Sequence, residues 1–394
     1  MNKNQLLDSI RSKYPDIPIL KRQLAKYRLK RTKRLYLSEN QISDAEGDLT
    51  KKRILTDTCK KKWTKYYAQT EKKISEILKK APEYQNRTDL NDIKTDMLFC
   101  RFAYGFQPDE YLCFELENKS MKERRTYVSD LDRYCYVYQL NDLSDIQIFN
   151  NKGKTYNRFG QYYKREALYI VGKNDFDKFQ TFVKRHPIFV KKAVFEGMGR
   201  SVELVEMSKS KKSEERIFLD MITQGPHIIE ELVVQNKALA QLNTSSVNTI
   251  RCITFNTKNG VVIPYCFMKV GRKGSFVDNG GAGGILIGID EKKGILNTHG
   301  YDEYNREFEI HPDSGVRFMG YQLPEWKQMI EICKRMSSMV PKVNYIGWDM
   351  TYTDKGWIVI EGNGMSQLIG PQIVYKRGIK PEIINIVEKI NLNI

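Results

Sequence analysis

Asn344-Tyr345-Ile346-Gly347-Trp348-Asp349-Met350-Thr351-Tyr352-Thr353-Asp354-Lys355-Gly356-Trp357-Ile358-Val359-Ile360-Glu361-Gly362-Asn363 is the stretch that decides the fold. Both arms are rich in β-branched and aromatic residues, and Asp354-Lys355-Gly356 is a turn signal, so a β-hairpin is predicted. A three-residue loop closed by a left-handed Gly356 sets Thr353 opposite Trp357 and, counting outward, Asp349 opposite Glu361. Side chains alternate along a strand, so Asn363 shares the face of Glu361. Directly opposed carboxylates repel each other unless a cation lies between them. Oxygen-only ligands suit a hard cation such as Mg²⁺. A two-residue turn would instead send the two acids to opposite faces. A plain hairpin with its acids in solvent is the simpler alternative, since acids on exposed strand faces are common.

Outward from the hairpin, residues 324–340 carry Trp326, Met329, Ile330, Cys333 and Met336 on one face of a predicted helix, with Pro324 suited to its first position. Further back, 249–257 and 261–270 predict a second hairpin across Asn259-Gly260, and Pro264 marks an edge or a bulge. The loop 271–284 holds six glycines, a composition that suits close approach to a ligand, a mobile lid or plain flexibility. Strands are expected at 186–195, 202–206 and 228–234, with a glycine turn at 196–201 and a helix near 216–223. Upstream of about residue 150 the pattern is helical, and the aromatic run Phe99, Phe102, Tyr104, Phe106, Tyr111 and Phe114 reads as core.

Several residues in these elements suit phosphate chemistry. Lys191 on a strand beside Gly197 and Gly199 can neutralise charge while bare backbone N–H groups approach oxygens. No helix-opening Gly-Lys-Ser/Thr follows, so this is not a Walker A loop. Glu230 and Glu231 lie on an apolar strand whose free backbone edge can meet a base, with carboxylates near an amine or a ribose hydroxyl. Arg251 and Arg272, on or beside adjacent strands, can clamp a phosphate or a carboxylate. Each of these features alone also fits an ordinary turn, strand or surface ion pair.

Composition narrows the class. The 394 residues suffice for two or three domains, and no apolar run reaches the length of a membrane span. The N-terminus lacks the apolar stretch of a signal peptide. Seven scattered cysteines form no Cys-x-x-Cys pair, which points to reduced thiols in a cytoplasm, and four isolated histidines give no zinc signature. Residues 1–80 hold 22 Lys/Arg against 9 Asp/Glu, most of the formal net charge of +17, with eight basic residues and no acid between Lys21 and Arg34. Leu20, Leu24, Tyr27 and Leu35 make an apolar stripe between those basic faces. Such a helix packs on its own protein or lies on an anionic membrane surface; nucleic acid is not the expected partner, since no nucleic-acid-reading motif is present.

Taken in order, the chain resembles the ATP-grasp superfamily: a strand lysine, a glycine hairpin, a Glu-Glu linker, an arginine, then Asp and Glu-x-Asn. The twelve-residue interval from Asp349 to Glu361 resembles the metal site of its carboxylate–amine ligases. Asn248-Thr249-Ile250-Arg251 and Val277-Asp278-Asn279-Gly280-Gly281-Ala282-Gly283-Gly284-Ile285 are most similar to the sugar-transfer-associated branch, linked to bacterial surface-polysaccharide clusters. Leu98-Phe99-Cys100-Arg101-Phe102-Ala103-Tyr104-Gly105-Phe106 resembles that branch's upstream region. The similarity covers about 90–385, and 1–80 have no counterpart in it.

The resemblance implies an α+β ATP-grasp fold, two subdomains clasping ATP between antiparallel sheets, preceded here by the basic helical segment read from composition. Its divisions are 1–85, an α-rich subdomain 86–150 and an ATP-grasp domain 151–394 split near 234/235. It implies ATP and Mg²⁺ as cofactors. Lys152 or Lys154 would be the first nucleotide lysine and Lys191 the second. Gly197 and Gly199 would cover the triphosphate, and Glu230, Glu231 and Val233 would line the adenine and ribose. Arg251 and Arg272 would stabilise the transferred phosphoryl group or bind the acceptor, and Asp349, Glu361 and Asn363 would hold Mg²⁺. Two departures stand out: Lys192 replaces the family's usual proline, and Ser201 its last loop glycine. The implied activity is a cytoplasmic ligase joining a carboxylate to an amine through an acyl phosphate, with a sugar acid or amino sugar as the context; the charge of residues 1–80, apart from the resemblance, allows peripheral contact with an anionic membrane. A kinase of a sugar or lipid hydroxyl, or a non-catalytic membrane adaptor, are the competing expectations.

Overall fold

The computed structural model describes residues 27, 37–194, 202–276, 278 and 283–390. Gly197, Gly199, most of the basic N-terminal stretch and the middle of the 271–284 loop lie outside them. Among the longer helices, α1 (Leu49–Lys62), α2 (Thr64–Lys80), α3 (Leu90–Tyr104) and α4 (Asp130–Leu140) come first. Asp48 caps α1 by accepting from the Lys51 N–H. On α2, Tyr67, Thr70, Ile74 and Leu78 are buried at helical spacing. Residues 93–104 of α3 are almost wholly buried. The aromatic run packs around α3 as a core of its own, with Phe99, Phe102, Phe106, Tyr111 and Phe114 all inside.

After α5 (Lys152–Tyr163) the chain builds β1 (Ala167–Ile170), α6 (Phe176–Arg185), β2 (Ile188–Ala193), β3 (Val202–Glu206), α7 (Glu214–Thr223) and β4 (His227–Glu231). The strands form an antiparallel sheet in the order β1-β4-β2-β3. Phe179, Phe182 and Val183 of α6 and Phe218 and Met221 of α7 cover one face through Ile170, Phe189 and Ile229. The strand expected over 228–234 stops at Glu231, and 232–236 run on as an irregular linker. Gln235 ties that linker to the next sheet, donating to the Asn248 carbonyl at 2.7 Å and accepting the Asn248 N–H at 3.0 Å.

The second sheet comprises β5 (Thr249–Thr257), β6 (Gly260–Val270), β7 (Ile285–Asp290), β8 (Ile295–Tyr301), β9 (Glu307–Phe308), β10 (Tyr345–Thr353) and β11 (Gly356–Asn363), in the order β11-β10-β5-β6-β7-β8-β9. The helix α8 (Trp326–Ser338) contributes Met329, Cys333 and Met336 to the core beneath it. This helix begins two residues after Pro324, not on it. Glu325 takes the left-handed conformation at φ 42°, which breaks the helical path, and the Pro324 carbonyl accepts the Trp357 indole N–H at 3.0 Å. Pro264 falls at a bulge: pairing slips between Ile253 and Phe255, and β6 is an interior strand. All seven cysteines are free thiols. Among the described residues no helix is long and apolar enough to cross a membrane.

The central hairpin departs from expectation twice, and the departures cancel. Its turn has two residues: Thr353 pairs with Gly356 (φ 81°) and Tyr352 with Trp357. Continued to the open end, that register would put Asp349 and Glu361 on opposite faces. A bulge intervenes, because Met350 pairs with Val359 but Asp349 pairs with Glu361. Ile360 is the extra residue, and inserting one residue flips every side chain beyond it. The acids therefore stand opposed, by a route the loop count does not reveal.

Candidate nucleotide and metal site

One row crosses three strands of the second sheet: Arg251 pairs with Asp349, and Asp349 with Glu361. The alternation of side chains puts Thr249, Lys269 and Asn363 on the same face. Arg251 grips Asp349 at two points, Nε to Oδ1 at 2.6 Å and Nη2 to Oδ2 at 2.9 Å. The Lys269 ammonium reaches Asp349 Oδ2 at 3.2 Å and Asp278 at 3.7 Å. Burial alone would push the Asp349 carboxyl up, but Arg251 and Lys269 outweigh it and hold it at about 2. Asp278 also accepts from the Thr249 hydroxyl, and burial raises its carboxyl overall.

Glu361 is the contrasting member. Among the described residues no side chain or backbone group hydrogen-bonds its carboxyl, and burial followed by the Asp349 charge raises its pKa; Lys152, Lys192 and Arg251 pull it down less. Beside it, Asn363 Nδ2 is buried without a partner. A half-buried acid facing a second acid, next to an unsatisfied amide that can turn its oxygen inward, is a donor set that fits a hard cation. Among the described residues no trio of His, Cys, Asp or Glu gathers tightly enough to hold a metal by itself. Water and phosphate oxygens would therefore complete the shell. An ion there would supply neutralisation of phosphate charge, and taking Asp349 as a ligand would require Arg251 to loosen its two-point grip.

Cations from the first sheet bear on the same acids. Lys192, not Lys191, is the strand lysine on the face turned away from α6 and α7. It pairs with Glu230 at 2.9 Å, whereas Lys191 shares the face of Phe189 under the helices and pairs with Glu203 at 2.8 Å. Lys152 opens α5 and donates from Nζ to the Ala193 carbonyl at 2.9 Å. Glu230 is buried; burial pushes its pKa up, but Arg165 and Lys192 override this and hold it at about 2. Its carboxylate is thus already engaged by protein cations. Glu231 accepts from the Glu166 N–H at 3.0 Å and pairs with Lys355 at 3.2 Å, at the mouth of the linker. Val233 lies half-buried in that linker. Arg272 is not part of the acid row: its guanidinium binds Asp313, 2.8 Å from Nε, and lies over the Phe308 ring. Lys269, Arg165 and Ser366 were not singled out from the sequence, and Lys192 was noted there only as a replacement for proline. Lys269 and Lys192 had a weak signal in strand parity: each pairs across to a residue, Thr249 or Ile228, that lies two positions from a charged residue of the site face, Arg251 or Glu230.

Space around the row is tight. Ser366 Oγ accepts from Arg251 Nη1 at 3.1 Å, and a methyl group on Gly347 would come within 2.7 Å of Ser366 Cβ and 3.0 Å of Arg251 Cδ. Gly347→Ala is expected to cost about 1–3 kcal/mol by overpacking and to displace Arg251. A chemical melt alongside phosphate-release assays checks this; an unchanged midpoint and unchanged turnover would show that Ser366 moves aside freely.

A sheet backed by helices on one face and carrying Lys192 on the other, beside a larger sheet bearing an opposed acid pair, is the architecture of an ATP-grasp clasp. The chain belongs to the family described as sugar-transfer associated ATP-grasp, which matches residues 132–389. Among solved structures it is similar to the D-alanine–D-alanine ligase of Coxiella burnetii (11% identity over 63% of this chain and 59% of that one, TM-score 0.40). It is also similar to the ATP-grasp ligase PsnB complexed with a minimal precursor (12%, 68% and 71%, 0.40). A third is the D-alanine–D-alanine ligase of Bacillus anthracis (13%, 64% and 70%, 0.38). The chain spans less than two thirds of the Coxiella ligase. Comparison with curated proteins gives no match.

Proposed function

We propose that this protein is an ATP-dependent carboxylate–amine ligase. The observation that carries the proposal is the Arg251–Asp349–Glu361 row, with Glu361 left without a counter-ion in contact among the described residues. A substrate carboxylate oxygen attacks the γ-phosphorus and ADP leaves, giving an acyl phosphate. An amine then attacks the acyl carbon and phosphate leaves, so the products are an amide, ADP and phosphate. Lys152 and Lys192 are placed to neutralise phosphate oxygens, and the linker 232–236 offers backbone groups to the base. Arg251 is placed to turn from Asp349 to the transferred group, where a preorganised guanidinium stabilises developing charge. Asp349, Glu361 and Asn363 would hold Mg²⁺. The sugar-transfer association of its family supports an acceptor that would be a sugar acid or amino sugar of surface-polysaccharide assembly, and residues 1–80 would bring the enzyme to the inner face of an anionic membrane.

Asp278 favours a second reading. A buried carboxylate with a raised pKa beside Lys269 could take a proton from a hydroxyl, as a kinase requires. Nucleotide products separate the two. With uronic acid and amine donors supplied, the ligase releases ADP and free phosphate in equal amounts, whereas a kinase releases ADP with no free phosphate. AMP and pyrophosphate would overturn both.

A further inference from the structure

The bulge at Ile360 makes the acid pair, and a side chain from the segment leading into the other sheet reaches it. Arg165 stands two residues before β1 and is almost wholly buried, with its guanidinium over the Tyr163 ring. Its Nη1 donates to the Val359 carbonyl at 2.7 Å, the last paired position before the extra residue, and its Nη2 lies 3.5 Å from the Ile360 carbonyl. The same guanidinium binds Glu230 on β4, Nε to Oε2 at 2.8 Å, and Glu230 in turn holds Lys192. A bulge leaves backbone groups without ladder partners, and in a buried setting each needs one.

We propose that Arg165 is a positioning residue that holds the bulge open and so keeps Glu361 facing Asp349, while linking that geometry to the strand before the nucleotide linker. Only a planar fork of several N–H donors can serve Glu230 and the Val359 carbonyl together. A lysine keeps one contact and gives up the other. Through Glu230, Arg165 also fixes Lys192, so a shift of β4 on nucleotide binding reaches the acid pair by one side chain. The claim about the bulge stands on geometry alone, and its consequence for Mg²⁺ rests on the function proposed above.

Amide hydrogen exchange on the full chain tests the first part without any ligand. In Arg165→Met, protection of the Ile360, Glu361 and Gly362 amides is expected to fall at least about tenfold, while Thr351, Tyr352 and Ile358 stay within about twofold of wild type. Uniform loss along both strands, or no loss at all, would overturn the proposal. Should Arg165→Met melt without cooperativity, Arg165→Lys carries the same comparison, because it keeps a cation for Glu230. Full restoration of protection by lysine would reduce Arg165 to charge balance and overturn the proposal too. The second part is read from ADP affinity measured with Mg²⁺ and with EDTA. A residue that merely stabilised the fold would leave the ratio of the two affinities unchanged. A positioning residue lowers that ratio about tenfold or more, as loss of an outer-shell partner does. A wild-type ratio of one would remove the proposed Mg²⁺–nucleotide function, and the exchange pattern would still decide the role of Arg165.

Discussion

Glu361→Ala is expected to abolish Mg²⁺-dependent ATP binding, with affinity falling by about 100-fold or more in calorimetry. Losing an outer-shell partner of a metal ligand already costs 10–100-fold, so losing a direct ligand should cost at least as much. Fold stability should change little or rise. Glu361 is a half-buried acid with a raised pKa and no contact partner among the described residues, so removing it relieves repulsion with Asp349. The sign of the pH effect follows. A carboxyl titrating above its ordinary 4.5 takes up a proton earlier than usual as pH falls, and a protonated acid is a poor ligand. Mg²⁺-dependent affinity should therefore weaken on acidification before the ordinary glutamate range is reached, and Glu361→Gln should lose that dependence. Undiminished Mg²⁺-dependent binding in Glu361→Ala would leave only a fold without the proposed site.

Arg251→Ala should do the opposite, hurting the fold as well as the chemistry. It removes both short contacts to Asp349 and leaves a carboxylate only 5% exposed with Lys269 as its remaining cation. Breaking a buried ion pair in this way costs about 3–5 kcal/mol. Turnover should fall by about a thousandfold where the guanidinium stabilises the transferred group. The loss of stability should appear mainly above pH 4. Asp349 is held at about 2 in the fold, so its pairing contributes fully above the unfolded pKa and disappears as pH falls through the folded value. Denaturant melts of Arg251→Ala, Asp349→Ala and the double variant check this. The double variant should be less damaged than the two single losses added together, since removing both charges leaves none stranded. Strict additivity would show that the two side chains act separately.

The hairpin illustrates how much could be read in advance. β-Branched residues on both arms and a left-handed Gly356 made the strands legible, because those signals are local. The opposition of Asp349 and Glu361 was inferred through a three-residue loop, but the actual route is a two-residue turn and a bulge at Ile360. A bulge has no strong local signature. It is stabilised by Arg165, which lies 194 positions away from its Val359 acceptor. Lys191 and Lys192 show the same limit: both are charged, and only the helices α6 and α7 on one face of β2 decide which of them turns away from the cleft.

By itself, then, the order of local signals determined most of the strands, the second hairpin, the aromatic helical core and the acid pair of the central hairpin, because hydrophobic period and turn chemistry act over a few residues. Tertiary structure alone decided that Arg272 binds Asp313 away from the row, that Lys269 shares Asp349 with Arg251, and that Glu230 is spent on Arg165 and Lys192. Those choices depend on which faces become buried and which charges meet there, and burial is a property of the whole packed chain.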